Sequence, residues 1–144
     1  MGVPGWVRTL DDYWSWLEDL INASGALLDD EILSVQPLLN THSVPVALYV
    51  DRHRLRFWDG SYLDLRLAVN ADLGQIGYRF HYARQDDALV WRLDRHTGHE
   101  VADGADTHIH LGPDERRRPY AEVDLAEVLH LIHGDQLARE SAEK

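Results

Sequence analysis

Histidine, arginine and aspartate side chains are concentrated between positions 76 and 112 of the 144-residue chain. An imidazole accepts or donates a proton near neutral pH, a guanidinium stabilises phosphate charge, and a carboxylate can orient an imidazole. Side chains of a strand alternate between two faces, so YRFHY places Arg79 and His81 opposite the aromatic rings of the same segment. These residue types suit acid-base chemistry on RNA or a nucleotide, of the phosphodiesterase or ribonuclease type. The candidate catalytic residues are His81, Arg92, Asp94, His99, His108 and His110.

Two strand-like segments, IGYRFHYA and LVWRLD, carry the first of these residues. A turn centred on Asp86 and Asp87 makes them an antiparallel hairpin with one apolar face and one polar face. The expected cross-strand pairs are Tyr82 with Trp91, Phe80 with Leu93, His81 with Arg92, and Arg79 with Asp94. Alternation also places His108 and His110 on one face of their strand. They join the polar face of the hairpin only if the chain after Asp94 folds back beside it.

The same motifs resemble those of the TumE family of toxin-antitoxin proteins. The resemblance lies in YRFHY, WRLD, a following histidine and HIHLG, and it covers roughly Leu48 to His133. It implies a toxin-like component of a prokaryotic toxin-antitoxin system, with an antitoxin protein as partner. This sequence has Arg95, Gly98 and Ile109 where the family has asparagine, histidine and lysine. The positions that match the family motif are His81, Asp94, His99, His108, His110 and Gly112.

A metal site is a second interpretation of the same histidines. The HIH segment offers His108 and His110 as ligands, and His81, Asp94 or His99 would complete a set of three or four. Nitrogen and oxygen ligands of this kind suit zinc or another transition metal. Because strand histidines more often donate to carbonyls or carboxylates, a hydrogen-bonded network is the alternative. No other cofactor is predicted.

A third interpretation is a non-catalytic interaction protein. The histidines and arginines would then form a polar network on an open sheet face. Exposed sheet edges would offer a place for a homodimer contact or for capture of an antitoxin partner. The departures at Arg95, Gly98 and Ile109 favour this interpretation.

The composition restricts the classes of partner that this protein is expected to bind. A formal net charge of −11 argues against indiscriminate nucleic-acid binding, but residues 51–95 carry eight arginines against seven aspartates. A local anion-binding surface, with RNA as its candidate ligand, is therefore compatible with an acidic protein. The chain has no cysteine, which excludes disulfides and cysteine-ligated metal sites. It has no apolar run of about 20 residues and no signal-peptide pattern, so we expect a cytoplasmic protein without a membrane partner.

The remaining patterns predict a single α+β domain over residues 1–144, with a four- or five-stranded antiparallel meander packed on N- and C-terminal helices. Thr9 with Asp12 caps the first helix, and Asp124 with Glu127 caps the last. The predicted parts are a helical N-terminal segment of about 9–40, a sheet of about 46–111 and a C-terminal helix of about 124–140. The apolar sheet face consists of Tyr78, Phe80, Trp91 and Leu93.

Four local features complete the prediction. A three-residue loop ending at Gly60 pairs Leu55 with Leu63 and His53 with Leu65. The segment EILSVQPLL is assigned to a short second helix, limited by its proline. The segment PDERRRPY is assigned to a polar loop, and the chain from Gly134 onward to a frayed end.

Overall fold

The computed structural model describes residues 2–26, 35–96 and 107–142, and within these ranges two helices cover one face of a seven-stranded sheet. The helices are α1 (Leu10–Ala23) and α2 (Leu125–Ala142). The strands are β1 (Val35–Leu39), β2 (Pro45–Arg56), β3 (Tyr62–Asn70), β4 (Gln75–Ala83), β5 (Leu89–His96), β6 (Thr107–Leu111) and β7 (Arg116–Pro119). They follow chain order across the sheet, and every neighbouring pair is antiparallel. Neither described helix combines the length and the apolar character that crossing a membrane requires.

The α+β class and the antiparallel meander are confirmed, but the sheet is larger than the four or five strands predicted. The strand β1 occupies Val35–Leu39, so the second helix predicted there is wrong, while the preceding residues of that segment lie outside the described ranges. Pro37 disfavours a helix interior, and pairing with β2 satisfies the backbone instead. The predicted polar loop is also wrong in part, because Arg116–Pro119 forms the exposed edge strand β7.

Both edges of the described sheet carry features that oppose further strand pairing. Pro37 lies in β1, and β7 is short, exposed at all four residues and rich in arginine. Proline, charge and short length are common devices against edge-to-edge association. The predicted homodimer through a sheet edge therefore gains no support from these strands.

The two central hairpins have the predicted registers. Gly60 has a φ of 83° in the loop between β2 and β3, and Leu55 lies opposite Leu63 as expected. In the β4–β5 hairpin the turn includes Asp87, whose φ is 68°. All four predicted pairs of this hairpin are present: Tyr82 with Trp91, Phe80 with Leu93, His81 with Arg92, and Arg79 with Asp94.

The hydrophobic core lies between the helices and the apolar face of the sheet. Trp91 belongs to this face but is only partly buried. The most completely buried sheet residues are Leu55, Leu63, Leu65, Phe80, Tyr82 and Leu93, and the helices contribute Tyr13, Leu17, Leu125, Val128 and Ile132. Because this face is closed by apolar packing, polar side chains that share a function are restricted to the opposite face.

Both helices begin at the predicted caps. The Thr9 hydroxyl oxygen accepts a hydrogen bond from the Asp12 backbone N–H at 3.1 Å. An oxygen of the Asp124 carboxylate accepts one from the Glu127 N–H at 2.9 Å. After α1, Gly25 adopts a φ of 75°, the left-handed conformation in which glycine ends a helix without steric cost.

The C-terminal half of α2 is tied to the sheet by Arg139. Its Nη2 donates to an Asp59 carboxylate oxygen at 2.6 Å and to the Tyr82 hydroxyl at 2.9 Å. Its Nε donates to Asp135 at 3.0 Å. These contacts explain why the helix continues past Gly134, where the sequence predicts a frayed end.

Candidate functional site

The polar face of the sheet is arranged in rows that cross the strands. Residues directly opposite one another in antiparallel strands share a face, so the registers align side chains from strand to strand. The first row, here called the histidine row, consists of Arg54, Asp64, His81, Arg92, His110 and Arg117. The neighbouring aspartate row consists of Arg66, Arg79, Asp94 and His108.

Five of the six candidate catalytic residues lie in these two rows. The strand β6 folds back beside β5, which places His108 opposite Asp94 and His110 opposite Arg92. The chain after Asp94 therefore folds back beside the β4–β5 hairpin, as is required for His108 and His110 to join its polar face. His81 lies in the same row, and His99 lies outside the described residues.

Asp94 is the centre of the half of this face formed by β5, β6 and β7. Only 3% of the residue is exposed. Its Oδ1 accepts a hydrogen bond from Nε of Arg79 at 3.2 Å, and its Oδ2 accepts one from Nε of Arg92 at 3.0 Å. The Oδ2 atom also lies 3.3 Å from Nε2 of His110. A buried carboxylate is stabilised only when charged or hydrogen-bonding partners surround it, and three such partners do so here.

The two histidines of β6 are held by the same network. Nδ1 of His110 lies 3.4 Å from Nη2 of Arg92, so the tautomer with hydrogen on Nε2 presents an acceptor to the arginine and a donor to Asp94. Burial and Arg92 lower the pKa of His110 below its ordinary value, although Asp94 acts in the opposite direction. His108 is buried, with its Nε2 3.2 Å from Nη2 of Arg117. Both imidazoles are thus held by neighbouring side chains.

These contacts bear on the metal interpretation of His108 and His110. Across the described ranges, no group of three or more histidine, aspartate or glutamate side chains is close enough to hold a metal ion. Instead, Nδ1 of His110 and Nε2 of His108 each face a guanidinium group, whose positive charge opposes a second cation. The chemistry of this half of the face is that of an ion-paired network.

The half formed by β2, β3 and β4 contains an open hollow of about 260 Å³ beside His81. The imidazole is partly buried and stacks on the Tyr62 ring with a centroid distance of 6.4 Å. It makes no hydrogen bond to any residue in the described part of the chain. Burial lowers its pKa below the ordinary value of 6.5, Asp64 opposes this, and nearby arginines lower it further. This histidine hollow is lined by Arg54, Tyr62, Asp64, Arg66, Arg79 and His81.

Three arginines and one aspartate give the histidine hollow a positive charge. Arg54 is neutralised by Asp64, to which it donates two hydrogen bonds of 2.8 and 3.0 Å. Arg66 lies directly opposite Arg79 in the sheet, an arrangement of like charges that is unfavourable by itself. Within the described residues Arg66 forms no ion pair with an acidic side chain. The hollow can therefore accept an anion between Arg66 and Arg79.

Sequence reasoning missed the arginines of β2 and β3. The alternation in RHRLR and LDLRLAV already places Arg54 and Arg66 away from the apolar residues of those strands. The predicted meander places β3 next to β4, but it does not give the β3–β4 register, which aligns Asp64 with His81 and Arg66 with Arg79. Arg117 was missed because its segment was assigned to a loop.

Comparison with models of protein families gives a match to the family described as Toxin TumE over residues 25–139. The chain belongs to this family. The resemblance found in the sequence motifs is confirmed, and it supports a toxin-like role for this TumE chain. Of the positions that match the family motif, His81, Asp94, His108 and His110 lie together on the polar face. Searches of the curated proteins and of the solved structures returned no match to the chain.

Proposed function

We propose that this TumE-family chain is the toxin of a toxin-antitoxin pair and acts on RNA at the histidine hollow. The observation that carries the proposal is the combination of a neutral, unbonded imidazole at His81 with the opposed cations Arg66 and Arg79. General acid-base cleavage of a phosphodiester requires a proton acceptor beside a cationic phosphate site. The hollow offers both on a rigid sheet.

The reaction follows from these groups. Arg66 and Arg79 bind the non-bridging oxygens of a phosphodiester and offset the charge that develops on them. Neutral His81 takes the proton of an attacking hydroxyl, either the adjacent ribose hydroxyl or water, as its oxygen bonds to phosphorus. The leaving oxygen is protonated by solvent at the open mouth of the hollow. A lowered pKa keeps His81 in the base form at neutral pH.

Asp94 has a positioning role in this proposal. Its carboxylate fixes Nε of Arg79, so the guanidinium is held at the border of the hollow by a residue on the neighbouring strand. Arg92 and His110 complete the set of hydrogen-bonding partners around Asp94, and the buried His108 lies opposite it on β6. These four residues then support the chemistry without contacting the reacting atoms.

The test is growth inhibition on expression of the chain without its antitoxin, with cellular RNA examined for cleavage. We expect wild type to be toxic and His81→Gln to be harmless, with unchanged circular dichroism and melting temperature. His130→Gln, on the exposed face of α2, is the matched control and should remain toxic. Toxicity that survives in folded His81→Gln would refute the assignment of the hollow.

A non-catalytic interaction protein is the second candidate function. Large apolar side chains are exposed around the β1–β2 hairpin, and such clusters mark contact surfaces for proteins. They are Leu38, Leu39, Val44 and Val46. An antitoxin is the partner implied by the family. If the chain acts as an interaction protein, changes to the β1–β2 hairpin should abolish toxicity, and substitution of His81 should leave it unchanged.

A further inference from the structure

A second hollow, of about 500 Å³, lies on the polar face beside the histidine hollow. Its centre is a third cross-strand row in which Tyr49 lies opposite Ala68, and Ala68 lies opposite Gly77. Ala68 and Gly77 carry almost no side chain and therefore form a low floor, while Tyr49 stands beside it with 41% of its surface exposed. We call this space the tyrosine groove.

The tyrosine groove and the histidine hollow share two arginines. Arg66 and Arg79 line both spaces, and each stands two residues along its strand from the floor positions Ala68 and Gly77. Two residues of a strand span roughly 7 Å. A phosphate held by these arginines would thus have an attached group of nucleoside size directly above the floor.

The residues that line the tyrosine groove indicate which kind of chemical group would bind there. The volume of the tyrosine groove falls within the range of small-ligand sites. Its aromatic, small and cationic lining groups are also of the kinds found in such sites. A nucleobase stacks on an aromatic ring without regard to its identity, whereas a sugar or an aliphatic chain does not gain in the same way. Tyr49 is suited to this role because it is large, exposed and borders the floor formed by Ala68 and Gly77.

We propose that the tyrosine groove is a nucleobase subsite, in which Tyr49 stacks on the base of the nucleotide whose phosphate is bound by Arg66 and Arg79. The inference rests on the proposed function and narrows its substrate to single-stranded RNA or a nucleotide, because a paired base is not available for stacking. Stacking on Tyr49 does not depend on the identity of the base, so both purines and pyrimidines are accepted.

The test is calorimetric titration of the full chain with adenosine 5′-monophosphate, uridine 5′-monophosphate and ribose 5-phosphate. Wild type should bind both nucleotides about tenfold more tightly than ribose 5-phosphate, which is the order of one base stack. Tyr49→Ala should reduce this difference to about twofold or less, within the variation expected without stacking. Tyr49→Phe keeps the ring and should retain the difference.

A second variant and a phosphate control separate the two proposals. Ala68→Leu raises the floor and should remove the preference for nucleotides while leaving ribose 5-phosphate binding unchanged. Equal binding of nucleotide and ribose 5-phosphate by wild type, or a preference that survives in both Tyr49→Ala and Ala68→Leu, would overturn the nucleobase subsite alone. If wild type bound neither ribose 5-phosphate nor inorganic phosphate, the anion site and the proposed function would fail with it.

Discussion

The two halves of the polar face contain similar residues but differ in how their charges are satisfied. In the half formed by β5, β6 and β7, the Asp94 carboxylate lies within 3.3 Å of nitrogen atoms of Arg92, His110 and Arg79, the last of which reaches it from β4. On β2, β3 and β4, the His81 ring has no hydrogen bond to a described residue, and Arg66 faces another arginine. In the first half, Asp94, Arg92 and both histidines each have a polar partner. The second has an unsatisfied base and a surplus of positive charge around an open hollow.

This difference teaches that residue type does not distinguish a reactive histidine from a structural one. His81 and His110 occupy the same cross-strand row, and burial lowers the pKa of both. They differ in their neighbours, because His110 is held by Asp94 and Arg92, whereas the His81 ring stacks on Tyr62 and has no hydrogen bond to a described residue. A base must have a free lone pair to accept a proton, and only the second arrangement leaves one available.

The largest expected effect is on the rate of RNA cleavage, and it distinguishes the roles of these two histidines. In RNA cleavage by purified protein, His81→Gln should lower the rate by about 10²- to 10⁴-fold, the usual contribution of a general base. His110→Gln should lower the rate by about tenfold or less, since a positioning contact transmits only part of that effect. Equal losses in the two folded variants would contradict the distinction between the halves.

The next effect is on stability. Asp94→Asn removes the charge that balances two arginines and should reduce the free energy of unfolding by on the order of 3 kcal/mol, near the lower end for a broken buried ion pair. Asp64→Asn is the control in the other half, where the pair with Arg54 is more exposed and should contribute about 1 kcal/mol. Urea denaturation measures both, and a neutral Asp94→Asn would show that the network does not stabilise the fold.

Lowering the pH should reduce the cleavage rate through protonation of His81, and it should reduce stability through protonation of both His81 and His110. The pKa of His81 is lowered from 6.5, so its base form persists at neutral pH and the cleavage rate should fall about tenfold per pH unit below the native pKa. Between that pKa and 6.5 the unfolded chain binds more protons, so stability also decreases as pH falls through this window. The same sign applies to His110.

Rate profiles and denaturation from pH 5 to 8 test this behaviour. His110→Gln should keep the acidic limb of the rate profile, whereas an acidic limb that disappeared in that variant would assign the titrating base to His110.

The smallest expected effect is on the free energy of unfolding, and it has opposite signs in the two halves. Arg66→Gln relieves a like-charge pair and should stabilise the fold by about 0.2 to 1 kcal/mol while weakening phosphate binding. Arg117→Gln removes the contact to His108 and should destabilise by about 0.5 to 1.5 kcal/mol. Thermal melts of the two variants decide the matter, and destabilisation by Arg66→Gln would indicate that Arg66 has a structural role.

The registers around His81 were predictable because local signals determine them. Gly60 and Asp87 sit in short turns, and the alternation on each side leaves one pairing that keeps apolar residues together. Family motifs then indicated which residues of the polar face matter. The open hollow was not predictable, because it depends on the register that places Arg66 opposite Arg79, and this register shifts between Ala68 and Val69 close to the β3–β4 turn.

The edges of the sheet were predicted poorly for a related reason. The sequence of β1 contains Pro37, and that of β7 is almost entirely arginine, so neither shows the alternation of a half-buried strand. Their strand structure comes from pairing with β2 and β6, which is a tertiary effect that overrides local propensity.

The order of the strands also has a consequence for synthesis on the ribosome. Each described strand pairs with the one before it, so the sheet can extend one hairpin at a time as the chain emerges, without waiting for distant partners. The apolar face is different, because α2 follows every described strand in the chain and supplies Leu125, Val128 and Ile132 to the core. A nascent chain paused before α2 would therefore present a formed sheet with part of its apolar face uncovered, and this is the stage at which a chaperone would have most to bind.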